Sequence, residues 1–162
     1  MCIRDRFRSG SSFGSDFDFS KIYLDVRYFH KNKWDHVLAF HSYTEFTGGD
    51  APFYELALLG GNNKMRGYVQ GRFRENHLQV FQAEYRAHLF WRLGIVGFAS
   101  VGTVENRLVD FDVNNVKFTA GAGVRFRLTK EEPINLRVDV GAGHNELDGF
   151  TSGFYVTIGE AF

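Results

Sequence analysis

The chain has 162 residues, the size of one domain, and its 19 basic and 19 acidic side chains cancel. That balance excludes the basic excess of a nucleic-acid surface, and the single cysteine, Cys2, excludes an intrachain disulfide or a cysteine metal cluster. Eighteen Phe, seven Tyr and eighteen Gly against two Pro point to β structure.

Residues 1–16 begin MCIRDRFRSG, with charge but no apolar stretch of the kind a signal peptide carries. They differ in style from the remainder of the chain, so the expectation is a disordered or artefactual segment ahead of one domain over residues 17–162. GSSFG at 10–14 fits G-x-S-x-G, but a nucleophile elbow needs a buried strand before it and a helix after it. Neither pattern is present, and Ser12 is not read as catalytic.

Residues 22–29 alternate Ile22, Leu24, Val26 and Tyr28 against Tyr23, Asp25, Arg27 and Phe29, a half-buried strand. Residues 37–46 predict another, with its face assignment open. The span 48–76 is different. Residues 59–75 read LGGNNKMRGYVQGRFRE, with no period of 2.0 or 3.6, so they are a loop. Phe53, Tyr54, Leu56, Leu58, Leu59, Met65, Tyr68 and Phe73 make the span too apolar for a solvated tether. Loops this long in compact domains usually serve a function.

Residues 78–89 set Gln82, Glu84, Arg86 and His88 against Phe81, Ala83, Tyr85 and Ala87. Residues 93–104 are a further strand. In 117–128, Thr119, Arg125 and Arg127 oppose Phe118, Val124 and Phe126. In 134–143, Asn135, Arg137, Asp139 and Gly141 oppose Leu136, Val138 and Val140. The last strand, 154–162, places Phe154, Val156, Ile158 and Phe162 on one face. The total is about seven strands, with no helix.

Mid-strand charges at Glu84, Arg86, Arg125, Arg137 and Asp139 suit either a water-facing sheet or a polar barrel lumen. Connections at 31–33, 91–92 and 130–133 are short; those at 48–76, 105–115 and 145–152 are long. Short turns on one side and long loops on the other are the habit of outer-membrane barrels, and strands of 9–11 residues match a tilted crossing. Periodicity alone leaves a soluble sandwich or ligand-binding barrel open. The six histidines show no metal-ligand spacing, and no cofactor motif is present.

Six stretches in order carry a family resemblance: LGG with MRGY in 59–68, GRFRE, QAEYR at 82–86, GAGVRF at 121–126, NLRVDVGAG at 135–143 and GFYVTIGEAF at the end. Together they resemble the bacterial surface-antigen family, the BamA/TamA-type outer-membrane barrels, over about residues 17–162. The resemblance implies an all-β, antiparallel up-and-down transmembrane barrel with sixteen strands and a sixth extracellular loop folded into the lumen. This chain then looks like its last seven strands, an open curved sheet that needs the missing N-terminal strands, because bare sheet edges in lipid strand backbone hydrogen-bonding groups.

On this resemblance the lumenal motif is Met65, Arg66, Gly67 and Tyr68, with Arg66 at the tip and Glu84 its carboxylate partner. The family's F-x-D-x-G reads FASVG here, so Ser100 stands where an acid is usual, and Asp139 is the further candidate partner. Phe154, Val156, Ile158 and the terminal Phe162 look like the signal read by the outer-membrane assembly machinery, with Glu160 departing from the pattern. The implied function is non-enzymatic: assembly or insertion of outer-membrane proteins, or protein translocation, in the bacterial outer membrane. Implied partners are outer-membrane lipid, the assembly machinery and client outer-membrane proteins, without cofactor, metal or nucleic acid. The alternative is a membrane-anchor barrel for a fused patatin-like lipase or phosphoesterase.

Overall fold

The structure is a computed structural model that describes residues 18–106, 115–128, 134–145, 149–159 and 162, and the backbone of 2–9. Ten strands occur among them: β1 (Cys2–Ser9), β2 (Phe19–Lys31), β3 (Val37–Gly49), β4 (Ala57–Leu59), β5 (Phe73–Glu75), β6 (His77–Phe90), β7 (Leu93–Glu105), β8 (Lys117–Arg127), β9 (Asn135–Asn145) and β10 (Gly149–Ile158). Eight form one antiparallel sheet in the order β1-β2-β3-β6-β7-β8-β9-β10, and β4 and β5 form a separate small hairpin. Each strand of the large sheet pairs with its neighbour in sequence, apart from the excursion through β4 and β5. Among the described residues β1 and β10 do not pair, so the sheet is open.

Period 2 sorts the side chains as the sequence implies. One face carries Lys21, His41, Glu45, Gln82, Glu84, Ser100, Thr119, Arg125, Arg137 and Asp139, all buried. The other carries Phe40, Phe81, Tyr85, Ile95, Phe118, Val124, Val140, Phe154 and Val156, all exposed, with no second protein layer against them among the described residues. A water-soluble sheet has the opposite arrangement, and a continuous bare apolar face marks a surface made for another apolar medium. The face of β3, open in the sequence, is settled here: Leu38 and Phe40 point out, while Ala39 and His41 are buried on the polar side.

The polar face is buried because residues 50–76 lie across it. The apolar core is Ala57, Leu59, Met65 and Tyr68 of this segment packed on Leu78 and Val80 of β6 and Val104 of β7, with Tyr43 and Phe73 beside them. Burying these side chains is what holds the loop down, at roughly 25 cal/mol per Å² of apolar surface removed from water.

Four expectations need correction. The segment read as disordered or artefactual, 1–16, contributes Cys2–Ser9 as a strand in register with β2, so the sheet has eight strands. Residues 59–75 are not wholly irregular: Leu59 pairs with Phe73 in the β4–β5 hairpin, and Gly61–Lys64 make one helical turn. Strands of three residues are too short to show a period. The connection expected over 145–152 is short, because β9 runs to Asn145 and β10 starts at Gly149. Gly149, Thr151, Ser152 and Gly153 are small or polar, which hid the continuing alternation. Phe162 leaves the face of Phe154, Val156 and Ile158. The strand ends at Ile158, and Gly159 has φ +99°, outside the extended range. The Ser12 motif and Glu160 lie outside the described residues.

Candidate functional site: the seat of the loop

Arg66 of the loop is completely buried. Its Nη1 donates to Oδ2 of Asp139 on β9 at 2.7 Å, and its Nη2 donates to Oε1 of Glu84 on β6. Two strands separate these acids. Phe98 of β7 lies directly opposite Glu84, and its ring sits beneath the Arg66 guanidinium at 3.6 Å from the centroid. On β8, Gly121 and Gly123 leave the needed space: a Cβ at Gly121 would strike the Phe98 ring, and one at Gly123 would strike the Asp139 carboxylate. The two glycines of GAGVRF therefore serve close packing beneath the arginine.

Each carboxylate is shared. Glu84 Oε2 accepts from Arg86 Nε at 2.8 Å. Asp139 accepts from Arg125 Nη1 and lies 3.3 Å from Arg137 Nε. Among the described residues four guanidinium groups thus meet on two carboxylates. Arg66 Nε and Arg137 Nη1 are buried without a hydrogen-bond partner among the described residues. Ser100, offered as a partner in place of the usual acid, does not reach Arg66: its hydroxyl donates to Gln82 Oε1 at 3.3 Å. A serine is too short to cross from its own strand to the loop, and its place in the cluster is taken by Asp139.

The rest of the turn is held by its main chain. Gln82 Nε2 donates to the Asn63 carbonyl at 2.7 Å, and Arg137 Nη2 donates to that of Asn62 at 3.1 Å. Lys64 and Lys21 converge on buried Glu45 at 3.4 and 3.3 Å. Burial pushes the Lys64 ammonium below its ordinary range, and Glu45 opposes that shift. Tyr68 is buried with its ring edge-on to Phe73 at 5.4 Å.

Glycine lets the backbone of the tip press onto the sheet. Gly67 has φ +118°, and a Cβ there would stand 2.9 Å from the Ala142 carbonyl carbon. A Cβ at Gly141 would lie 3.0 Å from the Arg66 backbone, and one at Gly143 2.7 Å from the Tyr68 ring. NLRVDVGAG is therefore two things at once: it supplies Asp139, and its glycines form the floor under the loop.

At the chain terminus Phe154, Val156 and Ile158 are exposed on the outer face. Phe162 is buried on the inner side, stacked on His41 at 4.7 Å, with its carbonyl accepting from Arg86 Nη2 at 3.3 Å. No three His, Cys, Asp or Glu side chains come together as a metal site among the described residues. The arrangement positions a loop.

The sequence matches the Omp85 superfamily domain over residues 5–162. The chain belongs to the Omp85 superfamily. No curated protein matches it. An Omp85 domain is characteristic of bacterial outer-membrane proteins, in a superfamily of assembly and translocation barrels, and the bare outer face and covered inner face of this sheet are those of a barrel wall. In this Omp85 domain, sequence reasoning missed the further members of the Arg66 cluster. Arg125 and Arg137 were visible as polar-face residues and Phe98 as the first residue of FASVG, but the register that gathers them comes with the strand pairing. Gly67→Ala is expected to destabilise the seated loop by about 1–3 kcal/mol, from positive φ and contact with β9. Urea unfolding of the variant beside Gly97→Ala, where a Cβ meets open space, measures it.

Proposed function

We propose that the protein is an outer-membrane barrel that inserts or translocates other proteins, with residues 59–75 seated in its lumen as the element that organises the pore. The observation that carries this reading is Arg66, wholly buried between Glu84 and Asp139 on the inner face of an Omp85 sheet. A guanidinium in a partly dry lumen needs carboxylates, and its planar fork suits two of them. In this reading Met65 and Tyr68 anchor the tip by packing, Gly67 makes its turn, and Ser100 supports Gln82 beneath it. Residues 17–162, together with β1, are the C-terminal part of the barrel. Phe154, Val156 and Ile158 meet acyl chains. With Phe162 they present the signal for the assembly machinery, and Phe162 docks beside His41 once assembly is complete. The partners are outer-membrane lipid, the preceding strands of the same barrel, that machinery and unfolded outer-membrane clients. No chemistry is assigned to the domain.

The test replaces Arg66 with Ala in the full-length protein and follows outer-membrane protein levels in cells at matched barrel abundance. A severalfold fall is expected. Unchanged levels with an unseated loop would remove the assembly role and leave a barrel that anchors some other activity.

A further inference from the structure

β10 is an outer strand of the sheet, bonded to β9 on one side and to no strand among the described residues on the other. Its inner face presents Thr151, Gly153 and Tyr155, opposite Gly143, Gly141 and Asp139 of β9. Tyr155 leans back over Gly153, where a Cβ would stand 2.5 Å from the phenol oxygen. The hydroxyl thereby reaches the loop: it accepts from the Gly67 N–H at 2.9 Å and donates to the Tyr68 carbonyl at 3.0 Å. The Thr151 hydroxyl donates to the Gly67 carbonyl at 2.7 Å. The tip thus has two separate attachments. Its arginine side chain is tied to β6 and β9, while its main chain is tied to β10.

We propose that Thr151 and Tyr155 form a latch that makes the seating of the loop tip depend on the position of β10. The inference rests on the reading of residues 59–75 as a seated lumenal loop. Both hydroxyls belong to β10, so they move with that strand. Moving it takes three partners from the Gly67 and Tyr68 backbone, and a buried peptide group is costly to leave unpaired. The tip then lifts, or β10 stays. Coupling of this kind is reciprocal, so lifting the tip loosens β10 in return.

The test uses the full-length protein with every native cysteine, Cys2 among them, replaced by Ser and with Met65→Cys, because Met65 is a fully buried residue of the loop and reacts with maleimide only when the loop lifts. Thr151→Val with Tyr155→Phe should raise the labelling rate at least about tenfold. Thr151→Ser, which keeps the hydroxyl, should leave the rate unchanged. In the reverse direction, Arg66→Ala should speed hydrogen exchange in residues 149–158 several-fold, while residues 117–127 of β8 stay protected. A side chain that merely packs would not transmit that effect. If the Val/Phe variant labels at the parental rate while Arg66→Ala raises it, the latch is wrong and the lumenal seat stands. If neither raises it, the seat itself is wrong.

Discussion

Arg66→Ala is expected to lower the unfolding free energy of the barrel by on the order of 3 kcal/mol, the low end of the range for breaking a buried ion pair. The low end applies because each carboxylate keeps another guanidinium: Arg86 for Glu84, and Arg125 with Arg137 for Asp139. What is lost is the cross-link between β6 and β9 and the cation stacked on Phe98. Arg66→Lys should recover only part of the loss, since an ammonium cannot present two parallel donors to two acids. Urea unfolding of the full-length protein in detergent micelles reads both variants. A lysine equal to the native arginine would mean that charge, rather than the fork, seats the loop.

Phe81→Arg should cost about 2–4 kcal/mol if residue 81 lies near the bilayer midplane, falling toward 1 at the interface. Phe81 sits mid-strand on the outer face of β6, opposite Val101 and on the same face as Tyr85. Arg127→Ala, at an exposed position of β8, is the control and should stay within about 0.5 kcal/mol. The comparison belongs in lipid vesicles, where the outer face meets acyl chains. A charged residue tolerated at 81 would mean that this face is covered by something polar.

The repeating elements were legible because alternation is a local property. Phe81 and Tyr85 on one side and Gln82 and Glu84 on the other need no tertiary information, and all seven expected strands are present. Arg66 and Glu84 were legible from the resemblance. Their convergence with Asp139, Arg125 and Arg137 was not, because it depends on registers across four strands, which the sequence does not write down. The role of Gly121, Gly123, Gly141 and Gly143 depends on tertiary partners that the sequence does not show: Phe98 and Asp139 pack at the first two, and the Arg66–Tyr68 tip of the loop at the other two. Phe162 misled for a physical reason. A period-2 extrapolation assumes a continuing strand, and Gly159 ends it. Ser100 was placed by pattern alone, and its short side chain bonds sideways to Gln82 instead. Thr151 and Tyr155 gave no signal, since their partners are backbone groups that any residue supplies.

The bond between Arg66 and Glu84 inside the barrel wall is the contact on which the lumenal seat depends. A double-mutant cycle with Arg66→Ala and Glu84→Gln, read by unfolding of the full-length protein, tests this directly. Coupling of about 1–3 kcal/mol is predicted, and additivity within about 0.5 kcal/mol would contradict it.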